Sequence, residues 1–236
     1  MQPSSADLFA ALEATWPAAA VRREGDWLIR DGQGGGKRVS AATAAGPGAT
    51  AQIGAMESAQ AALGQPSLVM IRPGDGALDT ALADRGYRRV DPTVLLAIAA
   101  GSLRPPAPMT TFPVWPPFQV IRDLWAEAGI GPARQAVMER SSDPRCAIMG
   151  RAQDRVAGAG FVAVARRIAM MHALEVRPDF RRQGTADNIM RRACIWAQDH
   201  AADWLCVAVT EANTAARALY ASLGLRAVDN YHYRMR

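Results

Sequence analysis

One stretch constrains the fold more than any other. The apolar run IAMMHALEV (168–176) leads through RPDFRRQG into apolar residues at Ala186, Ile189, Met190, Ala193 and Ala197. The first pattern is that of a strand, and the 3–4 spacing after it is that of a helix with one buried face. A strand that turns directly into a helix leaves backbone N–H groups free at the helix start, where the helix dipole adds positive potential. Gly184 permits close approach of a ligand, and Ala186 is too small to block it. Such a turn can hold an anion. Pro178 has no N–H and Asp179 would repel an anion, so the donors must come from Arg182 onward. An ordinary turn with a solvated Arg181–Arg182 pair is the other reading of this segment alone.

The clearest break lies elsewhere, at GSLRPPAPMTTFPVWPPF (101–118), which holds six of the 15 prolines. Proline fixes φ and lacks a donor, so this reads as an extended connection between two domains, 1–100 and 119–236. In the first, the pattern predicts a short helix near Ala6–Ala14 and a hairpin of WLIRD, the turn GQGGG and KRVSAAT. A helix near Ala51–Leu63, the strand SLVMI, a helix near Leu78–Arg85 and a strand over Arg89–Ala99 follow. In the second, two helices (Ile121–Ala128, Ala133–Arg140) precede an antiparallel meander of three strands (Arg145–Ala152, Val156–Ala165, Ile168–Val176). Then come the helix Ala186–His200, the strand Trp204–Thr210, the helix Thr214–Leu223 and strand to the end. ADRGYRRVD (83–91) echoes ASLGLRAVD (221–229), each with a glycine suited to a helix C-cap, which points to duplication of a whole domain.

Composition excludes several classes. Half of the residues are hydrophobic and 21% charged, as in ordinary globular proteins. The net charge of +5 comes from scattered arginines without a basic stripe, which disfavours nucleic acid. Cys146, Cys194 and Cys206 form neither a disulfide framework nor a zinc pattern and read as small core residues; no metal is expected. With neither a signal-peptide pattern nor a long apolar window, the expectation is a cytoplasmic protein that does not engage a membrane. GQGGGKRVS misses a P-loop, because Asp31 and Arg38 stand where that motif needs Gly and Ser or Thr.

RRQGTA (181–186) satisfies the R/Q-x-x-G-x-G/A signature of the GNAT superfamily of N-acetyltransferases. NTAARALYASLGL (213–225) resembles the family's second motif, N-x-x-A-x-x-L-Y-x-x-L-G-F, with Leu225 in place of the aromatic. The resemblance covers about residues 119–236. It implies a mixed α/β sheet, acetyl-CoA as co-substrate, and tandem GNAT-like folds whose N-terminal copy is degenerate. By resemblance the pyrophosphate falls on Arg181, Arg182, Gln183, Gly184, Thr185 and Ala186, and the pantetheine arm on main-chain groups of Leu174 and Val176. Asn213 matches the family's helix-start asparagine, and is also a good N-cap for its own helix.

Acetyl transfer to an amine needs a neutral amine and a proton for the leaving thiolate. Tyr220 matches the family's general-acid tyrosine. HALEVRPDFRRQG is similar to the corresponding segment of arylalkylamine N-acetyltransferases, whose matching histidine relays the amine proton; this implies a base at His172, with Met170 where their second histidine stands. Alternation puts His172 on the face of Met170, Leu174 and Val176, with Glu175 opposite. His172, Glu175 and solvent all remain open as the base. The echo sets Leu82 against Tyr220, so the first half has no thiol acid and is expected to wall the acceptor cleft. The expected activity is direct acetyl transfer, in a ternary complex, to a primary amine of a small molecule or peptide. A non-catalytic acyl-CoA-binding regulatory module is the alternative, and a homodimer is left open. Trp115 and Trp125 hint at an apolar cleft entrance or at core packing.

Overall fold

The computed structural model describes residues 2–236. Its chain runs α1 (Ser5–Thr15), β1 (Ala20–Glu24), β2 (Trp27–Asp31), α2 (Lys37–Ser40), β3 (Thr43–Ala44), a 3-10 turn (Pro47–Gln52), α3 (Ile53–Ala61), β4 (Leu68–Ile71), α4 (Gly76–Asp84) and β5 (Arg88–Ala99). It continues with β6 (Thr111–Val114), α5 (Gln119–Glu127), α6 (Pro132–Arg140), β7 (Arg145–Ala152), β8 (Arg155–Ala165), β9 (Ile168–Val176), α7 (Thr185–Asp199), β10 (Trp204–Thr210), α8 (Thr214–Ser222) and β11 (Arg226–Met235).

Eight strands form one mixed sheet, ordered β4-β11-β5-β10-β9-β8-β7-β6, and β1-β2-β3 form a second. The expected division at residue 100 therefore does not separate the sheets, since β5 of the first half lies between β10 and β11 of the second. The proline-rich segment is not connection alone: β6 pairs antiparallel with β7 along the sheet edge, where Pro113 can do without a ladder donor. The expected hairpin is also displaced. β1 and β2 make it around Gly25–Asp26, while KRVS forms the short helix α2.

The centre of the large sheet repeats itself under a shift of 138 residues (Thr93 to Tyr231). Thr93 pairs with Tyr231, and the couples Ala97–Arg226 and Leu96–Ala227 recur as Arg88–Met235 and Arg89–Arg234. The four pairs from Ile71–His232 to Leu68–Met235 recur as Val94–Val209 through Ala97–Cys206. The same shift carries α4 onto α8, and Gly86 onto Gly224, both at φ +84. Each helix ends at that glycine because the left-handed turn is open to it without steric cost. β11 thus lies between β4 and β5, and β5 between β11 and β10.

Helix α7 packs on β7, β8 and β9 with Ile189, Met190, Ala193 and Cys194 fully buried. Burial of each large side chain there contributes about 1.5–3 kcal/mol. Glycines on the sheet allow the close approach: a Cβ at Gly150 would lie 2.8 Å from Ile189, and one at Gly158 3.1 Å from Thr185. This seats the start of α7 beside the end of β9. Helices α1, α5 and α6 cover the opposite face through Leu12, Trp16, Trp125 and Val137, the last three clustering with Phe161 of β8. The three cysteines are free and buried, as core residues.

Candidate active site

Strands β9 and β10 run parallel only from Ile168–Trp204 to Met171–Val207. Beyond that, β9 stays with β8 as far as Val176, and β10 stays with β5 as far as Thr210. The two strands part, leaving facing edges without main-chain partners. A cavity of about 520 Å³ opens at this fork, and Leu174, Glu175, Asn213 and Tyr220 all line it.

The β9 edge is bent by a bulge. His172 pairs with Phe161 and Glu175 with Ala159, with the register slipping between them, and Ala173 takes φ +49. Phe161 and Ala159 share a face, so His172 and Glu175 do too. The expectation from simple alternation, with Glu175 opposite His172, is thereby corrected: one extra residue returns Glu175 to the histidine's side. Leu174 and Val176 instead turn toward α7, where they approach Gly160 and Gly158. Trp125, fully buried, donates from Nε1 to Ala173 O at 2.9 Å and so holds the bulge. It belongs to the core, Trp115 packs against Phe161, and the tryptophan that lines the cavity is Trp16.

At the far end of β9 the turn behaves as its sequence indicates. Gly184 is the N-cap of α7 at φ +81, and Arg182 is also left-handed at φ +63. The first helical N–H to find a main-chain acceptor is that of Asn188, which donates to Gly184 O at 2.9 Å. The donors ahead of it are those a helix start leaves free. Thr185 Oγ1 is buried and without a hydrogen-bond partner among the described residues. Space beside Gly184 is open, the nearest atom to a built Cβ being Asn188 Nδ2 at 4.0 Å. Free amides, an orphaned hydroxyl and open space fit an anionic group of the pyrophosphate kind. Arg181 Nε donates back to Val176 O, and Gln183 Nε2 to Asp179 O, which fixes the loop.

The titratable side chains differ sharply. Burial, with a contribution from Glu175, pushes the Tyr220 hydroxyl up to about 12, so it keeps its proton across the physiological range. Burial also raises the Glu175 carboxyl, against the opposing charges of Arg181 and Arg134. His172 is 6% exposed, and burial followed by the Arg38 charge lowers its pKa well below 6.5. Both ring nitrogens are occupied. Thr15 Oγ1 donates to Ala11 O at 2.7 Å and so accepts from His172 Nε2–H at 2.9 Å. Arg38 Nη1 then donates to Nδ1 at 3.1 Å, which takes up the only lone pair of the neutral ring. Asn213 caps α8, its side chain accepting from Ala216 N at 3.1 Å, while also lining the cavity.

A family model described as the acetyltransferase (GNAT) family matches residues 113–225. That segment belongs to the GNAT family. The family's activity is acetyl-CoA-dependent N-acetyl transfer, with an amine as acceptor. The chain is 25% identical over an aligned length of 237 residues to the uncharacterized N-acetyltransferase YobR of Bacillus subtilis (strain 168), covering 94% of this chain and 95% of that one. Among solved structures, a GCN5-related N-acetyltransferase from Kribbella flavida superposes with a TM-score of 0.74 at 16% identity, covering 98% of this chain and 95% of that one. A tandem GNAT protein from the clavulanic acid biosynthesis pathway superposes with a TM-score of 0.61 at 13% identity, over 99% and 88%. These two likenesses establish the mixed α/β fold with its large sheet.

Thr15, Trp16, Arg38, Asp91 and Arg134 also line or support the cavity, and sequence reasoning did not single them out as site residues. The one available signal was position: Arg38 stands two residues after the last glycine of the glycine-rich turn. Among the described residues no helix is long and apolar enough to cross a membrane, and no group of three potential ligands is placed to hold a metal.

Proposed function

We propose that the protein transfers an acetyl group from acetyl-CoA directly to a primary amine bound in the β9–β10 fork. The observations that carry this reading are the fork lined by the bulged β9 edge and Tyr220, and the open helix-start turn at 181–186 that follows the end of β9. Acetyl-CoA supplies the activated thioester. The 182–186 amides with Arg181 would hold its pyrophosphate, and main-chain groups of Leu174 and Val176 its pantetheine arm, near Asn213. Glu175 takes the proton from the attacking nitrogen, a task for which burial has moved its carboxyl in the useful direction. Tyr220 Oη, protonated at working pH, gives its proton to the sulfur as the C–S bond breaks and the C–N bond forms. His172, whose lone pair is engaged by Arg38, acts as a positioning residue for that arginine.

In this reading the chain is a tandem of GNAT-like units, 1–100 and 119–236, joined through 101–118, with the first unit degenerate. The repeated register around Thr93 and Tyr231 supports it, as does Leu82 standing where the shift puts Tyr220. The first unit's helix start is already filled. Asp26 Oδ2 accepts from Gly48 N at 2.8 Å, and a Cβ at Gly46, the counterpart of Gly184, would lie 2.3 Å from the same carboxylate. An internal anion sits where the second unit leaves room for a phosphate. The first unit instead lends α2 and the 32–36 turn to the acceptor wall.

The test is a panel of amines with acetyl-CoA, read by free thiol and by the mass of the acetylated product. Transfer to at least one amine is expected. Saturable acetyl-CoA binding with no transfer would favour a regulatory acyl-CoA-binding module instead.

A further inference from the structure

We propose that the acceptor is an amine that also carries a carboxylate, of the amino-acid class, and that Arg38 and Arg134 bind that carboxylate; this rests on the transferase reading above. The observation behind it is a charge without a counter-ion. Arg38 is half-buried in the cavity wall, its Nη1 is spent on a neutral histidine, its Nε has no hydrogen-bond partner, and the groups beside it that raise its pKa against burial are the phenols of Tyr231 and Tyr233, not a carboxylate. Among the described residues neither Arg38 nor Arg134 joins any ion pair, although the protein forms thirteen others, from Arg23–Asp26 to Arg236–Glu57.

The cavity's own carboxylates do not answer this charge. Asp91 is committed to Lys37 at 2.7 Å. Glu175 makes no ion pair with either arginine, its charge acting on Arg134 only at longer range, and in the reading above it serves the amine. Arg134 stands exposed at the mouth, and part burial with repulsion from Arg38 lowers its pKa in spite of the attraction of Glu175. Withdrawing a guanidinium from water without an opposite charge is unfavourable, and an incoming carboxylate removes that penalty. The planar fork of an arginine also matches a carboxylate at two points, which a neutral amide cannot reproduce. With the carboxylate held by the arginines, the amine of a compact acceptor lies toward Glu175 and Tyr220 on the same cavity wall.

Matched acceptors test this: amino acids against their primary amides, compared by kcat/KM with acetyl-CoA. The acid is expected to be preferred by on the order of 10- to 100-fold, mainly through KM, as loss of one charge-assisted pair would give. Arg38→Gln and Arg134→Gln should each shrink that ratio, with Arg134→Lys restoring part of it; melting temperatures check that the variants fold. Transfer with no preference for the acid, or with preference for the amide, overturns the proposal and leaves the transferase reading intact. Absence of transfer to any amine overturns that reading, and calorimetry then decides the carboxylate site by itself. N-acetyl amino acids binding more tightly than their amides, dependent on Arg134, supports it, and equal binding overturns it.

Discussion

Replacing Gly35 by alanine asks whether the first half builds the acceptor wall. A Cβ at Gly35 would lie 2.7 Å from Val137 Cγ2, 2.9 Å from Val39 Cγ2 and 3.0 Å from Gly32 O. Both valines are fully buried, so neither can swing aside into solvent. Overpacking of this kind costs about 1–3 kcal/mol. For a chain of this size that corresponds to roughly 2–4 °C of melting temperature per kcal/mol. The cheapest relief is for the 32–36 turn to lift off α6, carrying Arg38 away from the cavity. The acceptor KM should therefore rise by on the order of 10-fold, the scale of one charge-assisted contact. Acetyl-CoA affinity should stay within about 2-fold, because the turn at 181–186 belongs to other elements. Calorimetry with acetyl-CoA, steady-state kinetics with a verified acceptor and a thermal melt measure the three quantities. A lower melting temperature with an unchanged acceptor KM would show that the turn is structural only. An equal loss of coenzyme affinity would assign it to the coenzyme.

Gly184→Glu should abolish most acetyl-CoA binding. Crowding is not the cause, since the space beside Gly184 is open; the φ of +81 costs about 1–2 kcal/mol of stability and the new charge faces the pyrophosphate. Calorimetric affinity equal to wild type would remove the turn from the coenzyme site. Tyr220→Phe should keep coenzyme affinity and lower kcat by on the order of 10²–10⁴-fold, at every pH below the hydroxyl's own range; full activity would remove Tyr220 as acid. His172 has a depressed pKa in the folded state, so the unfolded chain takes up its proton first. The native state should thus lose stability as pH falls below about 6.5 toward the lower folded value, and His172→Gln should flatten that slope in denaturant titrations. An unchanged slope would show that His172 is not held neutral. On the proposed tandem reading acetyl-CoA should bind at one site per chain, since Asp26 occupies the amide of Gly48 in the first half; two equivalent sites by calorimetry would contradict this.

Much of the second half was legible because its signals are local. The helix spacing from Ala186 to Ala197, Gly184 before it and Asn213 before α8 each sit within one turn of the structure they specify. The placement of β5 between β10 and β11 was not legible: each of β5 and β11 is a strand after a helix and a glycine, and nothing in either names its partner. The 83–91 and 221–229 echo held the shift that relates them, but not the pairing. The bulge at Ala173 escaped because alternation assumes an unbroken ladder, and a one-residue slip reverses every face beyond it. KRVS looked like the return strand of a hairpin because Gly25–Asp26, a two-residue turn, was passed over for the longer glycine run. Arg38 and Arg134 were invisible as site residues because solvated surface arginines look the same in sequence.

The central claim is that one fork both holds acetyl-CoA and delivers its acetyl group to an amine. Simultaneous quantification of free coenzyme thiol and acetylated amine, in wild type and in Gly184→Glu, tests it most directly. The account predicts thiol and product in equal amounts from wild type, and neither above background from the variant. Thiol released without acetylated amine, or undiminished product from Gly184→Glu, would contradict it.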